Sequence, residues 1–362
     1  MLGAREIVHY DLANIYYSSF FITGFSANAA RFGYRFRFAK DLPPILSDTF
    51  GDRDLLSSLP FLLLFQARLG SESFFFCIDT RDGADVLRGD GVQGRVPLLD
   101  EVRYYFKVNY SRDAVDAVPD VSSYAGRILP AAPFFPVATQ AMRLRLPRLT
   151  PYPAAMWGPR DVLLRFKGNV RMRPLQQITD LRRSRKTHDV FLMSAYYPEP
   201  IHAPWMEFRY ETMRAIRQLK GVRGVCGFVG RSRLPGRFAD LQIQKLPFAR
   251  YMSTLAAAKV AVYVRGLHDC ISFKFSEFLA LGLPIAGQSV ANDVEVVDRS
   301  ERLAHQLRFD TPAEIAARIA QLLAHDEERA ELAAENMRLF DAHLRPEVVT
   351  GRMIEQLGFC AQ

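Results

Sequence analysis

Lys274 and Glu277 stand three residues apart in a stretch whose other members include Phe273, Phe275, Phe278, Leu279, Ala280 and Leu281. Residues at that spacing share one face of an α-helix. An apolar helix that carries charge must pair it or turn it toward a polar ligand. Two arrangements fit. Lys274 and Glu277 can neutralise one another as an internal ion pair. Alternatively, the free N–H groups at the helix start and Lys274 meet a phosphate, and Glu277 accepts hydrogen bonds from hydroxyls. The preceding loop, Gly266–Ser272, carries His268, Asp269 and Cys270. His268 can contact a ligand or move a proton, or be a loop histidine with no role. Cys270 reads first as a buried thiol. Gly266, Cys270, Ser272 and Phe273 frame the loop and the helix start and complete this set of candidate contacts.

Other residues invite similar questions. Arg231, Arg233 and Arg237 lie in the GRSRLPGR segment directly after a strand, where ligands of open α/β sheets bind; a solvated basic loop is the plainer reading. Asp79 and Asp82 end another strand. Asp79 could act as a base or bind acceptor hydroxyls, although a strand-end aspartate more often caps the next helix. His9 and Asp11 alternate along the first strand and so share a face. The seven histidines show no pair at metal-ligand spacing, and the four cysteines form no C-x-x-C pair, so neither structural zinc nor a disulfide framework is expected.

The elements that hold the central residues follow from the flanking pattern. Lys259–Val264 is β-branched and apolar, as a buried strand should be. Ser272 suits the N-cap of a helix over Phe273–Leu281. Gly282 and Pro284 suit its end, and Leu283–Ala286 starts the next strand. In the same half, strands are expected at Asp189–Ser194 and Val225–Val229, with helices at Trp205–Leu219 and Phe248–Ala258. Thr311, Pro312 and Glu314 form a capping-box helix start. Upstream, strands are expected at Glu6–Leu12, Tyr34–Phe38, Ser73–Asp79, Arg103–Val108 and Gly126–Leu129. Helices are expected at Ile15–Phe32, Leu55–Arg68 and Arg160–Phe166. Alternation of this kind gives an α/β chain with parallel sheets. The 362 residues are enough for two cores, divided here as 1–186, 187–345 and a terminal helical segment 346–362. Net charge is +8 with 49% apolar and 24% charged residues. That balance suits a globular protein with anionic partners.

The segment around Glu277 resembles the donor site of GT-B glycosyltransferases. Many retaining members carry an acid, seven residues, a glutamate, then small or apolar residues, Gly and Pro-Val or Pro-Ile. This chain has Asp269, seven residues, Glu277, then FLALGLPI. Exostosin-like relatives place a basic residue three before the glutamate, as Lys274 is here. The first acid is Asp269, where the common pattern has Glu. The resemblance covers about 30 residues closely. It implies two Rossmann-like domains facing a cleft, with Glu277 on the ribose of a nucleotide-sugar, Lys274 and Arg231 on its diphosphate, and the Asp269–Ser272 loop near the sugar.

The activity implied is transfer of a sugar to a glycan or lipid-linked acceptor held by the first domain, with no cofactor and no metal. A nucleotide-sugar 2-epimerase shares the fold. A non-catalytic nucleotide-sugar or glycan-binding relative fits the departure at Asp269. Nucleic-acid binding ranks last, since the basic residues are spread and no recognition motif is present. The longest apolar run, Leu59–Phe65, is too short to span a bilayer, and strand-like sequence begins almost at the first residue. A cytoplasmic protein is therefore expected, involved in polysaccharide biosynthesis. The aromatic and basic stretch Tyr16–Lys40 is read mainly as core, with peripheral contact at a membrane face as the other possibility.

Overall fold

A computed structural model describes residues 5–10, 14–39, 59–86, 97–138, 167, 170–230 and 232–360. The chain forms two units. One comprises Met1–Pro174 with His343–Gln362, the other Leu175–Ala342.

The first unit is built on a six-stranded sheet in the order β2-β1-β3-β4-β5-β6. The strands are β1 (Arg5–Tyr10), β2 (Arg35–Phe38), β3 (Leu62–Leu69), β4 (Glu72–Asp79), β5 (Val102–Lys107) and β6 (Ile128–Pro130). β1 and β2 run parallel, as do β4, β5 and β6, while β3 is antiparallel to both of its neighbours. The helix expected over Leu55–Arg68 is therefore wrong where it can be compared: Leu62–Leu69 is a central strand. Leu62, Leu63, Leu64 and Phe65 are all buried, because a strand inside a sheet covered on both faces reads as a continuous apolar run. β3 and β4 are joined at Gly70, whose φ of 65° suits a two-residue hairpin.

Helix α1 (Ile15–Asn28) starts at Asn14, whose side chain accepts from Tyr16 N–H. Its Phe20, Phe21 and Phe25 are fully buried, as is Phe32 beyond it, so these aromatics are core. No helix among the described residues is long and apolar enough to cross a membrane. The C-terminal helix, Pro346–Gln356, lies along α1. A Cβ added at Gly24 would sit 2.2 Å from the Pro346 carbonyl oxygen. Asn28 donates to Glu347 O at 2.7 Å and to Thr350 Oγ1 at 3.0 Å.

The second unit holds a four-stranded parallel sheet in the order β10-β9-β7-β8. These are β7 (His188–Ala195), β8 (Gly224–Val229), β9 (Ala258–Tyr263) and β10 (Ile285–Gly287). Around it pack α2 (Ala203–Gln218), α3 (Phe248–Ala256), α4 (Phe273–Ala280), α5 (Pro312–Ala324) and α6 (Asp326–Leu339). The capping box at Thr311 and Glu314 is present. The division falls at 174/175, not at 186/187. Leu175–Thr179 is helical, and Arg182 donates to Ala280 O at 2.8 Å and pairs with Asp341 at 2.8 Å. That basic segment is thus built into the second unit. The helix expected at Arg160–Phe166 lies outside the described residues.

Candidate functional site

The carboxyl end of β9 and the amino end of α4 carry the residues of interest. β9 is fully buried at Val260, Ala261 and Val262. Its carboxyl end, at Tyr263, leads through Val264 and Arg265 into the loop, which closes on itself: Gly266 N–H donates to Cys270 O at 2.8 Å, and Cys270 N–H to Leu267 O at 3.1 Å. A Cβ at Gly266 would meet Cys270 Sγ at 2.1 Å, so a side chain there would require Cys270 to move. Ser272 has the extended backbone of an N-cap, yet its side chain makes no cap hydrogen bond and its Oγ is buried without a partner among the described residues. Ser276 Oγ and the Tyr263 hydroxyl are likewise buried and have no hydrogen-bond partner among the described residues. At the far end of α4, Gly282 takes a φ of 63°, the left-handed conformation that such a helix end favours. The next turn is fixed from beneath: buried Asn336 donates to Leu283 O and buried Gln306 accepts from Ile285 N–H.

Lys274 and Glu277 do not form the internal ion pair that the spacing allows. Glu277 is 4% exposed and accepts from the Tyr251 hydroxyl at 2.6 Å. Burial pushes its carboxyl above the usual range, opposed by the Tyr251 bond and the charge of Lys274. Lys274 is half-buried and makes no hydrogen bond or ion pair among the described residues. Desolvation lowers its amine below the ordinary lysine value, and the nearby Arg209 guanidinium lowers it further, against Glu277 and Cys270. A desolvated ammonium beside a second cation, at the start of a helix, is a place for an anion.

Arg209 was not singled out by sequence reasoning. It is buried on α2 and donates to Arg265 O at 2.8 Å. The signal was present: Met206, Tyr210, Met213 and Ile216 form the buried stripe of α2, and Arg209 falls within it. Trp205, one turn earlier, was missed as well. Its indole N–H donates to Asp269 Oδ1 at 3.3 Å, and its ring lies 5.3 Å from that of His268. Asp269 is also 3.5 Å from Arg265 Nη1. His268 is exposed.

The remaining candidates lie elsewhere. Arg231 and Asp11 fall outside the described residues. Arg233 is exposed, and Arg237 pairs with Glu207 and covers the ring of Tyr210. Asp79 is not available as a base. It is fully buried, and its carboxylate takes Lys107 Nζ at 3.0 Å, Arg81 Nη2 at 2.9 Å and the Tyr105 hydroxyl. Burial would raise its pKa, but the Lys107 and Arg81 charges hold it below the usual carboxylate range. His9 is fully buried, with Nδ1 3.3 Å from Leu64 O and its ring packed on Phe65. Cys77, Cys226 and Cys270 are buried and Cys360 is exposed, and none of the four is in a disulfide.

Residues 209–352 match the family model described as "Glycosyl transferase-like". No curated protein matches the chain. Among solved structures, the GtfA/B complex is similar over 81% of this chain and 63% of its own, at 13% identity and a TM-score of 0.39. UDP-GlcNAc 2-epimerase from Neisseria meningitidis bound to UDP-GlcNAc is similar over 73% and 63%, at 11% identity and 0.36. A T4 phage BGT mutant in complex with UDP-glucose is similar over 99% and 97%, at 11% identity and 0.38. The chain thus spans less than two thirds of the length of the first two. The matched family segment begins at Arg209 and takes in Lys274, Glu277 and the loop before them. Over this segment the chain is glycosyl transferase-like, as its resemblance to the GT-B enzymes implied.

Proposed function

We propose that the second unit binds a nucleotide-sugar and that the protein transfers the sugar to a hydroxyl of a glycan or lipid-linked acceptor. The observation that carries this reading is Lys274: a desolvated ammonium at the amino end of α4 that makes no ion pair among the described residues, while the acid a turn away accepts from Tyr251. In this reading Lys274 and Arg209 take the diphosphate with the free N–H groups of α4. The buried hydroxyls of Ser272 and Ser276 have hydrogen bonds to offer in the same region. Glu277 accepts from the ribose hydroxyls while keeping its bond from Tyr251. The Gly266–Ser272 loop, with His268 and Asp269, faces the sugar. Diphosphate is the leaving group, so fixed positive charge at its oxygens stabilises the charge that develops as the glycosidic bond breaks. No metal is needed for this charge balance. The work of the protein is cytoplasmic, on a glycan under construction.

The test is a thermal-shift panel of nucleotides and nucleotide-sugars, followed by assay with and without acceptor. A ligand that binds only the folded state at a hundred times its Kd adds about 2.7 kcal/mol to stability. Lys274→Ala should weaken nucleoside diphosphate binding by about 1.5–3 kcal/mol, the scale of a charge-assisted hydrogen bond. Glu277→Gln should cut transfer roughly a hundredfold and leave the melting temperature nearly unchanged, because the amide oxygen still accepts from Tyr251. A panel in which nothing binds, or donor turnover that is indifferent to acceptor, overturns the reading.

A further inference from the structure

His268 and Asp269 have φ values of 54° and 58°, the only positive values at residues other than glycine among the described residues. Side chains with a Cβ disfavour this conformation, and two in succession persist only where the surroundings hold them. The holding contacts come from three places. Within the loop, Cys270 N–H closes on Leu267 O. Beyond β10, Asn292 donates to Asp269 O at 3.2 Å. From α2, Trp205 supplies both the ring against His268 and the N–H on Asp269 Oδ1. His202 adds its ring at 5.7 Å from that of His268.

The two oxygens of Asp269 are treated differently. Oδ1 takes the Trp205 indole and faces Arg265 Nη1 at 3.5 Å. Oδ2 makes no hydrogen bond among the described residues, on a side chain 48% exposed. A carboxylate anchored by one oxygen and open at the other is a hydrogen-bond acceptor with a fixed direction. The indole N–H is suited to the anchoring, since it donates and cannot accept.

We propose that Trp205 is a positioning residue. It fixes the left-handed His268–Asp269 turn and so presents Asp269 Oδ2 to a hydroxyl of the donor sugar. This rests on the donor reading above and adds to it a residue from a different element. Trp205→Phe keeps an aromatic ring against His268 and removes the N–H.

The test uses the full chain with UDP-, GDP-, ADP- and dTDP-sugars and their free diphosphates. Trp205→Phe should lose about tenfold in kcat, the scale of one hydrogen bond to a charged group, and keep its affinity for the free diphosphate within twofold. The sequence has two tryptophans, so in a Trp157→Phe background the indole of Trp205 is the sole one. Its emission should shift with a nucleotide-sugar and stay unchanged with the diphosphate alone. Asp269→Asn gives a second route if Trp205→Phe folds poorly. An asparagine tolerates the left-handed conformation and still accepts the indole N–H, so it should keep diphosphate affinity and lose kcat. Normal diphosphate binding with unchanged kcat and unresponsive emission overturns this proposal alone. No binding of any diphosphate to the parent protein overturns the donor reading, and this proposal with it.

Discussion

Lys274 gives the site a proton as well as a charge. In the folded protein its amine is depressed, first by desolvation and then by Arg209. Between that lowered pKa and the ordinary lysine value the unfolded chain holds the proton more tightly, so stability rises with pH through this window. A bound diphosphate reverses the depression, because it supplies the opposite charge. Binding should therefore draw a proton onto the protein, and should weaken as pH climbs past the lowered pKa. Calorimetry in two buffers of different ionisation enthalpy reads that uptake directly. Lys274→Ala should abolish it, and an uptake that survives the substitution assigns the proton to another group. The spacing of Lys274 and Glu277 was legible because both sit on one short helix. Their separation into different partners was not, since Tyr251 comes from α3 and Arg209 from α2, and no local pattern reports contacts between distant segments.

At the scale of elements, short signals with a steric cause were the readable ones. Gly282 at the end of α4 and the Thr311–Glu314 capping box each answer a local need of the backbone. β3 was misread for the opposite reason: its LLLF run is apolar at every position, and periodicity cannot separate a doubly covered strand from a buried helix. The network around Asp79 also belongs to this scale, because it joins the end of β4 to the end of β5. Lys107 is fully buried and bonded to Asp79 Oδ2. Asp79→Asn would leave that ammonium without its counter-charge, at a cost of about 3–5 kcal/mol. The urea midpoint should fall accordingly, with nucleotide affinity of the folded fraction unchanged. The depressed carboxyl pKa sets the pH dependence: this stabilisation is complete above the ordinary aspartate value and is lost as pH falls through the lowered one. A midpoint that hardly moves would show that the network contributes little to stability.

At the scale of the whole molecule, two α/β units were legible from strand and helix alternation, while their boundaries were not. Composition put the division after the basic run Arg182–Lys186. The structure assigns that run to the second unit through the Arg182–Asp341 pair. The first unit, conversely, is discontinuous, and its last piece is the helix Pro346–Gln356. Truncation after Ala342 should strip the cover from α1 and destabilise the first unit selectively, leaving Gly24, Asn28 and their neighbours facing water. Scanning calorimetry of the truncated chain should show the second unit's transition near its original temperature and the first unit's lowered or absent. A single unshifted transition would mean that the terminal helix carries no weight.

The same discontinuity sets an order on synthesis. Residues 175–342 are contiguous and are synthesised as a complete set of partners, whereas the strands made first must wait for residues 343–362 before α1 is covered. On a growing chain the second unit therefore closes before the first. Until residues 346–356 are available, the apolar face of α1 that they cover is open to chaperones. Nascent chains arrested just short of His343 should be the ones they hold.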